Sequence, residues 1–107
     1  MQAELETINE RADEAAGMLK LLSHPGRLRV LCRLIEGEMT AGNLAQAVGM
    51  SQSALSQHLS RMRDQGLLGA RREGNQQYYR ITNPDCEALL NLLHNLYCAP
   101  GNNYKSV

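Results

Sequence analysis

Two neighbouring runs, Thr40–Gly49 and Ser51–Gly66, each open on a hydroxyl side chain and close on a glycine, with Met50 alone between them. A Ser or Thr just before a helix accepts a hydrogen bond from one of its first free N–H groups. A glycine just past the end takes up left-handed backbone at no steric cost. The spacing therefore predicts a short helix through Leu44, Ala45 and Val48, a tight turn, and a longer helix on which Leu55, Leu59 and Met62 share one side. Two helices so joined form a helix-turn-helix, and the rest of the chain has to cover their apolar sides.

Leu67–Arg72 and Gln77–Thr82 read as short strands around Glu73, Gly74, Asn75 and Gln76, a hairpin turn whose Gly and Asn tolerate positive φ. That hairpin would be a wing. Upstream, Leu5, Ile8, Ala12, Ala15, Leu19 and Leu22 fall on one face of a first helix as a short heptad seam. Ser23, available as N-cap, and Pro25 restart the chain as a second helix through Leu28, Val30, Leu31, Cys32, Leu34 and Ile35 that stops at Gly37. Cys86–Cys98 returns to helix, with Leu89, Leu90, Leu92, Leu93 and Leu96 spread over more than one stripe. So broad an apolar surface exceeds what a single small domain can cover, and the first and last helices are expected to form a homodimer interface. The chain has no Trp and no Phe, so its core rests on aliphatic residues that suit helices. The expected fold is mainly α with a small β-hairpin (α+β). It is a single winged helix-turn-helix domain over residues 1–107, with four helices, two strands and a fifth helix, and a polar tail over residues 99–107.

The helix from Ser51 carries Gln52, Ser53, Ser56, Gln57, Ser60, Arg61 and Arg63 opposite its apolar side. Short hydroxyl and amide side chains read base edges, and guanidinium groups hold phosphates. A merely solvated face would look the same in isolation, but Arg71, Arg72, Gln76 and Gln77 flank the hairpin tip, where they could grip backbone or minor groove. Net charge is zero, yet unevenly spread: residues 51–82 carry five arginines against Asp64 and Glu73. The positive charge sits where a phosphate-binding face is needed. His58 could meet a base or phosphate, or pack with one nitrogen satisfied. Double-stranded DNA is the expected partner.

No apolar run approaches the roughly 18 residues of a membrane span, and the N-terminus lacks a signal pattern. A cytoplasmic protein is expected, with its three cysteines as free thiols. Cys32 is flanked by Arg29 and Arg33, which could favour a thiolate, and Cys98 closes the last helix beside Ala99 and Pro100, where it is expected to be within reach of reagents. Taken singly, each reads first as a small buried hydrophobe, since free Cys is among the most buried residue types. Cys86 lies in the first turn of a helix, where the dipole favours a thiolate, but no partner for it can be read and no role is assigned. His94 and Cys98 have a metal-compatible spacing but are only two ligands, so no metal site or cofactor is expected. No base stands near a nucleophile, and an enzyme is not expected.

The order of elements, with the strings Leu22-Ser23-His24-Pro25-Gly26-Arg27-Leu28, Ser51-Gln52-Ser53-Ala54-Leu55-Ser56-Gln57-His58-Leu59 and Tyr78-Tyr79-Arg80-Ile81, resembles the ArsR-type winged-helix repressors of bacteria over nearly the whole chain. The resemblance implies a homodimer that binds a palindromic operator through the Ser51 helix and the wing. The metal sensors of that family carry a Cys-x-Cys-type site on the helix matching residues 41–48, or an Asp/His set on the last helix, and this chain has neither. It is more similar to the reactive-sulfur-sensing SqrR, BigR and HlyU branch, in which a cysteine of the second helix pairs with one at the end of the last. Cys32 and Cys98 stand at those two places. The resemblance implies that persulfide or oxidant joins them within one subunit and releases the DNA. In the chain-entropy model a bridge over a loop this long is worth about 4 kcal/mol. The alternative keeps the repressor and changes its input to zinc or another thiophilic metal.

Overall fold

A first stretch without proline allows one long helix, α1, over Gln2–Leu22 in the computed structural model, which describes residues 2–98. The tail expected over residues 99–107 lies outside the described residues. Helix α2 spans Pro25–Leu34, and its N-cap is His24 rather than the expected Ser23. Pro25 at the first helical position fixes the cap one residue before it. The His24 Nδ1 accepts the Gly26 N–H at 3.0 Å, while the Ser23 hydroxyl turns back and donates to the Lys20 carbonyl at 2.8 Å.

The capped pair forms as its spacing predicts. Helix α3 spans Ala41–Val48, with the Thr40 hydroxyl accepting the Asn43 N–H at 3.2 Å. Gly49 closes it in the left-handed region, φ 68°, ψ 42°. Helix α4 spans Gln52–Asp64 behind Ser51, whose hydroxyl accepts the Ala54 N–H at 3.1 Å. Leu55, Leu59 and Met62 turn inward together.

Met39–Thr40 forms a strand, β1, which the sequence reading did not anticipate. Two residues are too few to show alternation, and only the pairing partner reveals them. Strands β2 (Leu68–Glu73) and β3 (Gln76–Ile81) make the wing. The sheet is antiparallel in the order β1-β3-β2, with Met39 opposite Tyr79 and Ala70 opposite Tyr79 from the other side. Glu73 faces Gln76 across a two-residue turn in which only Gly74, φ 62°, takes positive φ. Asn75 keeps ordinary backbone, the pattern of a type II′ turn. Helix α5 spans Pro84–Tyr97, starting two residues before the expected Cys86, because the Asn83 side chain caps the Asp85 and Cys86 N–H groups at 2.9 and 3.0 Å.

One core joins these elements. Val30, Leu31 and Leu34 of α2 meet Leu44 and Ala45 of α3, the inward face of α4, Leu67 and Leu68 at the start of the wing, and Cys86 and Leu90 of α5. Leu31, Leu44, Leu55 and Leu90 are fully inaccessible, and truncating any of them to Ala would cost about 2–5 kcal/mol. Helix α1 contributes little to this core: Leu22 is buried, but Ile8 and Leu19 are 64% and 57% exposed. On α5, Leu92 and Tyr97 are 55% and 49% exposed. The apolar surface left over lies on the first and last helices. Among the described residues no helix is long and apolar enough to cross a membrane.

Candidate nucleic-acid interface and thiol pair

Burying Leu55, Leu59 and Met62 dictates what α4 shows to solvent. Gln52, Ser53, Ser56, Gln57 and Arg61 are all exposed on the side away from the core. The first four occupy the opening turns of the helix, capped by Ser51. Acceptors, donors and one guanidinium thus lie along a rigid element, an arrangement suited to base edges and phosphates.

His58 sits at the margin of this face, half-buried, with its ring tilted 59° against that of His24 at 4.8 Å between centroids. Burial lowers its pKa first, and the neighbouring His24, Arg27 and Arg61 lower it further. The imidazole is therefore biased toward its neutral form.

In the wing, the two arginines differ. Arg71 donates through Nε to Glu38 at 2.8 Å and through a terminal nitrogen to Glu73 at 2.6 Å, and its guanidinium lies 4.6 Å from the centre of the Tyr78 ring. These partners hold its pKa above the ordinary arginine value and offset its charge. Arg72 is exposed and enters none of the ion pairs among the described residues. Alternation along β2 sends the two side chains to opposite faces. Gln76 is exposed and Gln77 half-buried, opposite Glu73 and Arg72 respectively.

Two further cations lie near α4 that sequence reasoning did not single out. Lys20 of α1 and Arg27 of α2 line a groove with Ser56, Gln57, His58 and Arg61. Arg27 is fixed there by donating Nε to the Leu21 carbonyl at 2.7 Å. No local spacing ties the end of α1 to the middle of α4, so only the fold brings them together. Glu38, the partner of Arg71, was likewise hidden, because the sheet alone makes it a neighbour of the wing.

The three thiols sit in different surroundings. Cys32, on α2, is half-buried, and its pKa is raised by burial first and by the charge of Cys98 second. The thiolate-favouring effect expected from Arg29 and Arg33 does not prevail: both arginines are exposed, and desolvation decides the direction. Cys98 is exposed at the C-cap of α5, where its N–H donates to the His94 carbonyl at 2.8 Å. Cys86 is fully buried and its thiol is pushed up to about 11 by burial and Glu87, outweighing the helix N-terminus expected to favour its thiolate. Among the described residues no three His, Cys, Asp or Glu side chains gather as a metal site.

Residues 24–69, from the α2 cap to the start of the wing, match the model of the bacterial regulatory protein, arsR family. The chain is 43% identical over 94 residues to the biofilm growth-associated repressor of Xylella fastidiosa, covering 88% of this chain and 82% of that protein. The structure of reduced HlyU from Vibrio cholerae superposes with a TM-score of 0.83 at 35% identity, over 88% of this chain and 99% of that one. The solution structure of a homodimeric winged helix-turn-helix DNA-binding domain from Mycobacterium bovis gives a TM-score of 0.71 at 36% identity, covering 80% of each chain.

Proposed function

The chain belongs to the ArsR family of bacterial regulatory proteins, and from that premise we propose that it is a homodimeric transcriptional repressor whose operator complex is broken by sulfur chemistry at Cys32 and Cys98. The family places it among DNA-binding transcriptional regulators and not among enzymes. In this reading the opening turns of α4 enter the major groove, with Gln52, Ser53, Ser56 and Gln57 on base edges and Arg61 on the backbone. Arg72 and the hairpin tip hold the flanking phosphates or minor groove. A palindromic operator follows from two-fold symmetry. Pairing through α1 and α5 would cover Ile8, Leu19, Leu92 and Tyr97, the large apolar side chains that one subunit leaves in water.

What supports the sensing part is the place of Cys98 among the groups that raise the Cys32 pKa, second to burial, although 66 positions separate the two thiols in the sequence. The exposed Cys98 is suited to react first. Its thiolate takes the outer sulfur of an organic persulfide, RSSH, forming Cys98–SSH and releasing RSH. Cys32 is converted in the same way. The Cys32 persulfide anion then attacks the sulfur bonded to the Cys98 β-carbon. A new S–S bond forms, hydrosulfide leaves, and the two residues are joined as Cys32–S–S–S–Cys98. The departing sulfide carries the two electrons that the bridge loses. Such a link ties the end of α5, a dimer helix, to α2, and so changes the spacing at which the two α4 helices are presented.

Mass spectrometry with peptide mapping after treatment of the reduced protein with an organic persulfide tests the chemistry. The expected product is an intrachain Cys32–Cys98 crosslink carrying an extra sulfur atom. Two thiols that are unmodified, or capped separately, would contradict it.

A further inference from the structure

We infer that Lys20, Arg27 and Arg61 form a seat for a DNA backbone phosphate on the α1 side of the recognition helix, a contact separate from the base-reading turns of α4 and from the wing. This inference rests on the DNA-binding reading above and extends it to residues of α1 and α2. The groove between these elements encloses about 1010 Å³ and opens beside Gln57, on the same exposed face as the base-reading side chains. A duplex lying along α4 therefore runs past it.

The charges in the groove point to an anion. Lys20, Arg27 and Arg61 enter none of the ion pairs among the described residues, whereas Arg11 and Arg71 both do. The one carboxylate lining the groove is Asp64, a turn beyond Arg61. The groups that act on His58 all lower its pKa and none is acidic: His24 at the cap of α2, Arg27 from α2, and Arg61 from α4 itself. Like charges gathered this way repel, and an incoming phosphate relieves the repulsion. The hydrogen bond from Arg27 to the Leu21 carbonyl holds one donor arm in place before any ligand arrives.

The position of α1 leaves the seat free in a dimer. Gly17, Lys20 and Leu21 line the groove, while Ile8 and Leu19, the residues offered to a partner, project from another side of the same helix. Gly17 also supplies a probe. A Cβ added there meets nothing within 4 Å, so Gly17→Glu inserts a carboxylate into the groove wall at a helix position where Gly is itself unfavourable.

The test measures binding of a mixed-sequence duplex by fluorescence anisotropy across a salt series, using the full chain and variants whose helical content matches the parent. Lys20→Gln should weaken binding to all sequences alike and flatten the slope of log K against log salt by about 0.9 for each subunit engaged. Gly17→Glu should weaken it further. A phosphate beside His58 favours the imidazolium, so binding takes up a proton. Affinity should rise as pH falls from about 8 to about 6, and His58→Gln should lose part of that rise. The inference is overturned if Lys20→Gln and Gly17→Glu keep the parental affinity and slope while Arg72→Ala reduces both. If the parent itself binds no duplex, the DNA reading falls with it.

Discussion

At the scale of single residues, three chemically identical thiols are separated chiefly by burial. Cys86 has no accessible surface, Cys32 is half-buried and Cys98 is exposed. The thiolate is the reactive form, so the raised pKa values of Cys86 and Cys32 slow both at neutral pH. Timed alkylation of the folded protein should label Cys98 first and Cys32 more slowly, with Cys86 labelled only on unfolding. Raising the pH through the thiol range should speed Cys32 labelling, because its proton is lost only above the ordinary value. Labelling of Cys32 ahead of Cys98 at neutral pH would contradict this ordering. The sequence placed arginines beside Cys32 and suggested the opposite direction. Helix geometry explains the difference, since the neighbours at positions 29 and 33 turn to solvent while the thiol turns partly inward.

At the scale of elements, what could be read in advance was whatever is encoded over a few residues. Thr40, Ser51, Gly49 and Gly66 marked the helix-turn-helix to within a residue or two, because caps and left-handed glycines act locally. Gly74 marked the wing turn for the same reason. The polar face of α4 was legible from the period of Leu55, Leu59 and Met62. Contacts made by distant segments were not. Strand β1, the Glu38–Arg71 pair, the His24–His58 contact and the Lys20–Arg27 groove all depend on pairing or packing that no local pattern records. The Glu38–Arg71 pair also changes what the wing can do, since Arg71 presents an offset charge and Arg72 a full one. Arg72→Ala should weaken binding to every duplex and flatten its salt dependence. Glu38→Gln should do the reverse by releasing Arg71 toward the phosphates. Anisotropy titrations at several salt concentrations would separate the two, and an unchanged slope for both would place the wing away from the DNA backbone.

At the scale of the whole molecule, the helix-turn-helix is built on the core, while α1 and α5 carry the leftover apolar surface. Function in the proposed account depends on how those two helices hold one α4 relative to another across a dimer. Cys98 lies at the end of α5 and Cys32 on α2, so a bond between them would connect the proposed dimer helices to the core behind the proposed recognition helix. The energy required is modest: coupling of about 1–3 kcal/mol changes affinity about 5- to 150-fold. The most direct test is the affinity of the protein for a duplex it has itself selected from a random library, before and after exposure to an organic persulfide, for the parent and for Cys32→Ser and Cys98→Ser. The account predicts that all three bind alike when reduced and that persulfide lowers the affinity of the parent alone. A parent that keeps its affinity after the bridge has formed, or serine variants that lose it to the same extent, would contradict it.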